Sequence, residues 1–315
     1  MQRTFASLMA LVLGLAVASP VRADYLFTTV DVPGASQSYG SGINNNGQIV
    51  GQFIGGSGSG HGFLLSAGGF TSIDNPGAIA SYASGINDSG QIVGASRTLT
   101  GTHSFLLSGG IFTPLDQPGV IGTQAYGINA SGQVVGFTND AVGGHGFLYS
   151  GGTYTTLDKP GAIGTQANGI NDAGQIVGAF GNDFLQVHGF LLSNGIYTSF
   201  DVPGSTNTLG YGINNLGQIV GTYVDASGTH GFLLSDGRYV ALDVPGATQT
   251  SATGINDLGQ IVGYYIDGSN KTHGFLATVV PAPSGLVLLT SGILGLVSFG
   301  RRVRATSKTH LENPR

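Results

Sequence analysis

Along the body of the chain, short apolar runs are cut at regular intervals by small and polar residues. Runs such as Ile49-Val50-Gly51-Gln52-Phe53 and Phe63-Leu64-Leu65 are rich in β-branched and aromatic side chains, and Gly, Pro, Asn and Asp bound them. That composition suits strands joined by tight turns. Strong helix formers are scarce, and Glu is absent from the body. The pattern predicts an all-β protein.

The runs recur as one unit. Gly-Ile-Asn begins at Gly42, Gly85, Gly127, Gly169, Gly212 and Gly254, a period of 42 or 43 residues. A Gly-Gln-Ile/Val-Val-Gly segment follows each, as at Gly47–Gly51. His-Gly-Phe-Leu comes next, with Ser104 replacing Gly after His103, and Asp-x-Pro-Gly closes the unit. Four strands of about 5–6 residues with short loops fill such a period. Asn87-Asp88-Ser89-Gly90 suits a type I turn ending in a left-handed Gly, and Pro76-Gly77 suits a type II turn. From His to the following Asp the spacing is always 13, centred on Ala67-Gly68, Gly109-Gly110, Gly151-Gly152, Asn194-Gly195 and Asp236-Gly237. These are residues of two-residue type I′ hairpins, and counting outward makes the His and Asp cross-strand partners. The predicted pairs are His61–Asp74, His103–Asp116, His145–Asp158, His188–Asp201 and His230–Asp243.

The ends of the array are offset. Asp31 has no His before it and His273 has no Asp after it. A sixth pair, His273–Asp31, forms only if the first mature strand lies beside the last. This predicts a six-bladed β-propeller closed by its N-terminal strand, whereas an open solenoid needs no such offset.

Charge narrows the partners. Residues 24–280 hold fifteen Asp against Arg97, Lys159, Arg238 and Lys271, a formal charge of eleven negatives. Such a body repels nucleic acid and anionic surfaces and leaves neutral or cationic partners. With no Cys, it closes without disulfides.

The flanks read as addresses. Residues 1–23 run from Arg3 through an apolar stretch to Val21-Arg22-Ala23, the order of a secretory signal peptide. Residues 284–300 are uncharged and apolar, with Arg301, Arg302 and Arg304 directly after them. This predicts a C-terminal transmembrane helix with the repeats outside the cytoplasm. The expected organisation is therefore signal peptide 1–23, propeller 24–280, sorting and anchor segment 281–304, and tail 305–315.

Two resemblances rest on these motifs. The Gly-Ile-Asn, Gly-Gln-Ile-Val-Gly, His-Gly-Phe-Leu and Asp-x-Pro-Gly elements, across essentially the whole mature body, resemble the extracellular HAF repeat family. That resemblance implies a propeller-like fold and carries no settled activity. Val280-Pro281-Ala282-Pro283 with the apolar stretch and the arginines resembles the PEP-CTERM sorting tail of exopolysaccharide-producing Gram-negative bacteria. The chain departs from it at Ala282, where the motif has Glu. The resemblance implies an exosortase-type processing enzyme as partner, and either anchoring or release to the cell surface.

The candidate chemistry is weighed against scaffold roles. His–Asp resembles part of a nucleophilic triad, but a pair repeated six times reads as a structural pin. The Asn of each Gly-Ile-Asn reads as a turn cap. Asn-Asp-x-Gly shares part of a calcium loop but lacks its bidentate Glu, so no cofactor is expected and calcium is the one candidate. Sequence varies most in the loops at 55–60, 96–102, 138–144, 181–187, 224–229 and 266–272. Arg97, Asp140, Asp183, Phe184, Asp225, Asp267 and Lys271 there are the expected ligand surface. The leading expectation is a non-enzymatic, surface-anchored or secreted binding or matrix protein that engages extracellular polysaccharide or another envelope component. A propeller hydrolase or lyase acting on glycans stays open, as does a purely structural or ice-binding surface protein.

Overall fold

The turn residues dictate where the chain reverses, and the reversals build six antiparallel sheets of four strands. The computed structural model describes residues 24–182 and 186–280, and no helix occurs among them. The predicted signal peptide and anchor segment lie outside the described residues. Among those described, no helix is long and apolar enough to cross a membrane.

Blade 1 shows the plan, with strands Gln37–Ile43, Ile49–Ile54, Gly60–Ser66 and Gly69–Ile73 in order from the axis outward. Innermost strands of neighbouring blades touch around a complete circle, Gln249–Ile255 of blade 6 meeting Gln37–Ile43 of blade 1. At the third reversal, Ala67/Gly68 take φ of 49° and 80°, and Asn194/Gly195 take 50° and 78°. Both central residues of a type I′ turn require positive φ, which is why Gly always fills the second position and Gly, Asn or Asp fills the first in four of the five loops. Asn44 O accepts the Gly47 N–H at 3.1 Å, closing the turn after Gly-Ile-Asn.

The core lies between blades. Each His-Gly-Phe-Leu buries its Phe (Phe63, Phe105, Phe147, Phe190, Phe232, Phe275), and each Ile/Val-Val buries its second Val. The Val of one blade packs on the Phe, Ile and Ala of the next, Val50 with Phe105 and Ala83, and so around to Val262 with Phe63 and Ile43. Complete burial of such a side chain is worth about 1.5–3 kcal/mol, so the blade interfaces supply most of the cohesion. The Phe ring needs the glycine that ends Gly-Gln-Ile-Val-Gly. A Cβ on Gly51 would overlap the Tyr39 carbonyl oxygen and press on the Phe63 ring.

The ring closes as the offset predicted. Blade 6 takes three strands from the C-terminal end and its outermost, Asp24–Val30, from the N-terminal end, with Asp24–Val30 beside Thr272–Val280. Phe27 meets Phe275 edge-on at 5.5 Å. One feature escaped the sequence pattern: each innermost strand carries a bulge, as between Gly40 and Gly42. There the strand crowds its neighbour so closely that a Cβ on Gly42 would lie 2.9 Å from Ser84 O.

Register defines two faces. Gln37, Ile54 and Gly60 align at one end of blade 1, so the variable loops and the start of the innermost strand share a loop face. Ile43, Ile49 and Leu65 align at the opposite end, beside the Gly-Ile-Asn turns.

Candidate functional site

All six His–Asp pairs bridge the two outer strands, one per blade. His Nδ1 reaches the carboxylate at 2.9 Å in His61–Asp74, 2.8 Å in His103–Asp116, 2.9 Å in His145–Asp158, 3.0 Å in His188–Asp201 and 3.1 Å in His230–Asp243. His273–Asp31, the pair that closes the ring, is 2.7 Å apart. Several imidazoles also stack on an aromatic ring of the second strand, among them Phe53 on His61 and Tyr265 on His273.

In three blades the expected ligand-surface residues turn back on these imidazoles. Asp140, Asp225 and Asp267 lie 3.5, 3.4 and 3.3 Å from Nε2 of His145, His230 and His273. Each also accepts backbone N–H groups of its own loop, such as Val142 on Asp140 and Lys271 on Asp267. The backbone bonds from Val142 and Gly143, chief among other contributions, hold Asp140 below the usual carboxylate range. The Ser227 hydroxyl and N–H do the same for Asp225. The hydrogen bond to Asp158 is the main influence raising the His145 pKa, and burial opposes it. Arg97 and Lys271 are exposed on the loop face, and Asp183 and Phe184 lie outside the described residues.

Blade 5 adds a contact the motif spacing did not signal: Ser227 Oγ lies 2.9 Å from His230 Nε2, opposite Asp243. The Ser227 hydroxyl donates instead to Asp225 at 2.6 Å, so its proton is not held for the imidazole. A nucleophile needs that proton transferred to the base. The arrangement holds the loop shut.

At the axis, the Asn of each Gly-Ile-Asn does more than cap its turn. Oδ1 of Asn44 accepts the N–H groups of Asn46 and Gln48, the expected local cap. Nδ2 reaches across to the next blade: Asn44 to Asn87 O, Asn87 to Asn129 O, Asn129 to Asn171 O, Asn171 to Asn214 O, Asn214 to Asn256 O and Asn256 to Asn44 O, at 3.0–3.1 Å. These six bonds form an unbroken circle. Among the described residues, no group of three or more His, Asp, Glu or Cys is placed to hold a metal ion.

Symmetry breaks above that circle. The residue preceding Gly-Ile-Asn is Ser41, Ser84, Tyr126, Asn168, Tyr211 and Thr253 in successive blades. With Gln52, Tyr82, Gln124 and Gln166 these line an axial cavity of about 260 Å³ to which every blade contributes. Its lining includes no carboxylate, imidazole, ammonium or guanidinium. Burial pushes the Tyr126 and Tyr211 phenols up to about 12, so both stay neutral. Tyr126 Oη donates to Gln124 Oε1 at 2.9 Å. Asn168 Nδ2 donates to Gly210 O at 2.8 Å. The side chains of Ser41, Gln52, Ser84, Gln166 and Tyr211 make no hydrogen bond to the described protein. Half-buried polar groups left uncommitted around a tyrosine-walled space are equipped to receive a neutral polar molecule.

At the level of sequence, no family model and no curated protein matches the chain. Solved structures of similar architecture do. AofleA from Arthrobotrys oligospora, in a triple-arginine mutant, aligns over 83% of this chain and 91% of its own at 11% identity, with a TM-score of 0.51. The fucose-specific lectin from Aleuria aurantia aligns over 82% of this chain and all of its own at 12% identity, with a TM-score of 0.47. A catalytically inactive virginiamycin B lyase from Staphylococcus aureus, solved with quinupristin, gives 82%, 100%, 11% and 0.47. At such identities the likeness is one of fold.

Proposed function

We propose that this protein is an exported, non-enzymatic binding protein that holds a neutral extracellular glycan in its axial cavity. The observation that carries the reading is the cavity's lining: tyrosine rings beside uncommitted amides and hydroxyls, with no carboxylate, imidazole, ammonium or guanidinium. A sugar offers an apolar C–H face to an aromatic ring and hydroxyls to amide and hydroxyl partners, which is the complement of this wall. Glycoside hydrolysis calls on two carboxyl groups flanking the scissile bond, and the lining supplies neither. The net negative body favours a neutral glycan over an acidic one.

The signal-like N-terminus and the sorting-like C-terminus support export and display at the cell surface, with an exosortase-type enzyme as processing partner. The HAF-like repeat supports an extracellular setting. A panel of neutral and acidic glycans, screened with the full chain with and without calcium, tests the binding role. Retention of neutral glycans independent of calcium is expected. Retention of acidic glycans alone, or of none, would contradict it.

A further inference from the structure

Away from the loop face the axial space continues in smaller volumes. Below the level of Ser41 and Tyr126 the channel holds about 100 Å³ between the six Gly-Ile segments. Beyond that, about 70 Å³ remains among the Gly-Ile-Asn residues. The circle of Asn bonds ties this end together, because widening it would break buried side-chain bonds between every pair of blades. The wall around the cavity is closed as well, since the N-terminal strand completes blade 6 and no gap separates blades 6 and 1.

A polymer meets such a site in only one way. To place an interior residue on the axis, a chain would have to fold back sharply inside a cavity at the small end of ligand sites, which run about 300–1,000 Å³, or thread a continuous protein ring. A chain end can enter from the loop face. The cavity is also lopsided. Tyr126, Asn168 and Tyr211 stand on blades 3–5, opposite Thr253, Ser41 and Ser84 on blades 6, 1 and 2. At the positions before Gly-Ile-Asn one flank is bulky and the other small and hydroxylated, and Tyr82 of blade 2 adds a third ring to the wall. A single pyranose fits this asymmetry with its C–H face on the tyrosine flank and its hydroxyls toward Ser41, Ser84 and Gln52.

We infer that the cavity reads glycan ends: it takes the terminal main-chain residue of a neutral polysaccharide, and the remainder leaves over the loop face. This rests on the proposed glycan-binding role and adds to it the part of the polymer that is recognised.

The experiment counts binding sites per gram of polymer by calorimetry, with the full chain as titrant. The probes are dextran, laminarin, galactomannan and yeast mannan, each intact and after partial endo-hydrolysis. For every polymer that binds, sites per gram should rise in proportion to the fall in mean chain length, with the affinity of each site unchanged. A Tyr126→Ala/Tyr211→Ala variant with an unaltered melting temperature should lose binding to intact and cut polymers alike. If sites per gram stay constant on cutting, or binding disappears, interior segments are recognised and the end-reading inference fails while glycan binding stands. If none of the four polymers binds, or the double variant binds as well as the parent, the cavity reading fails and this inference with it.

Discussion

Removing one link of the axial Asn circle should cost far more than its place in a turn motif suggests. Asn171 is buried, 4% exposed. It donates to Asn214 O at 3.1 Å and to Gln175 Oε1 at 2.8 Å, and accepts from Gln175 N–H at 2.9 Å. Asn171→Ala deletes all three bonds. At about 0.5–1.5 kcal/mol each, the loss centres near 3 kcal/mol. For a domain of this size that corresponds to a fall in melting temperature of about 6–12 °C. Asn171→Asp separates the local cap from the inter-blade bond. One carboxylate oxygen still accepts the Gln175 N–H, but the other now faces two acceptors, Asn214 O and Gln175 Oε1. Burial and those acceptors raise the new carboxyl's pKa above its unfolded value of about 3.9. The variant is therefore least impaired in acid, where the group is protonated and donates again, and loses stability as pH rises through the raised pKa. Differential scanning calorimetry from about pH 4 to 8 reads both effects. An Asn171→Ala melt within about 1 °C of the parent, or an Asp variant with no more pH dependence than the Ala variant, would refute the circle as a stabilising element.

Three further expectations follow from the packing. Gly178→Ala drives a Cβ into the Gln166 carbonyl oxygen and the Phe190 ring, so it should prevent soluble expression or lower the melt more than any surface change; a parent-like melt would mean the innermost strands are looser than described. Asp31→Ala removes the acceptor of His273 Nδ1 at 2.7 Å and of Gly274 N–H at 3.3 Å, and should cost about 1–3 kcal/mol, with amide exchange accelerating first in residues 25–30 and 273–279. Unchanged exchange there would mean the terminal strand is held without that pair. The His145 pKa is raised, chiefly by Asp158. The stability from that shift is present below the unfolded value of about 6.5 and fades as pH rises through the folded one, so Asp158→Asn should destabilise more near pH 6 than near pH 9. Proton NMR should find its imidazole titrating above 6.5 in the parent and lower in the variant, and equal midpoints would contradict the assignment.

What the sequence disclosed and what it hid divide along the range of the interactions. Strand count, hairpin register and turn type were legible because they are local: the spacing of 13 about Asn194-Gly195 fixes which residues face each other. Ring closure, though it joins Asp31 to His273, was legible through arithmetic, since five complete pairs imply the sixth. The Asn circle was only half visible. The bonds to Asn46 and Gln48 lie within one repeat, whereas the bond to Asn87 O lies a full repeat away and depends on how blades tilt together. The cavity was hidden more deeply. Tyr126 and Tyr211 lie at the bulge beside Gly-Ile-Asn in their innermost strands, and the alternation of a strand does not announce that a bulged residue lines the axis. In the variable loops, Asp140, Asp225 and Asp267 lie against their own histidines, a contact within one blade that the motif spacing did not signal.

The tyrosine-and-amide cavity on the axis is the site proposed to bind a neutral glycan. The chain has no Trp, so its ultraviolet emission comes from tyrosine alone, and cavity tyrosines report directly on an occupant. Titrating the full chain with neutral oligosaccharides should change that emission saturably, and Tyr126→Ala/Tyr211→Ala should abolish the change in a variant that still melts cooperatively. A parent protein indifferent to every neutral oligosaccharide, or a double variant that responds as the parent does, would contradict the claim.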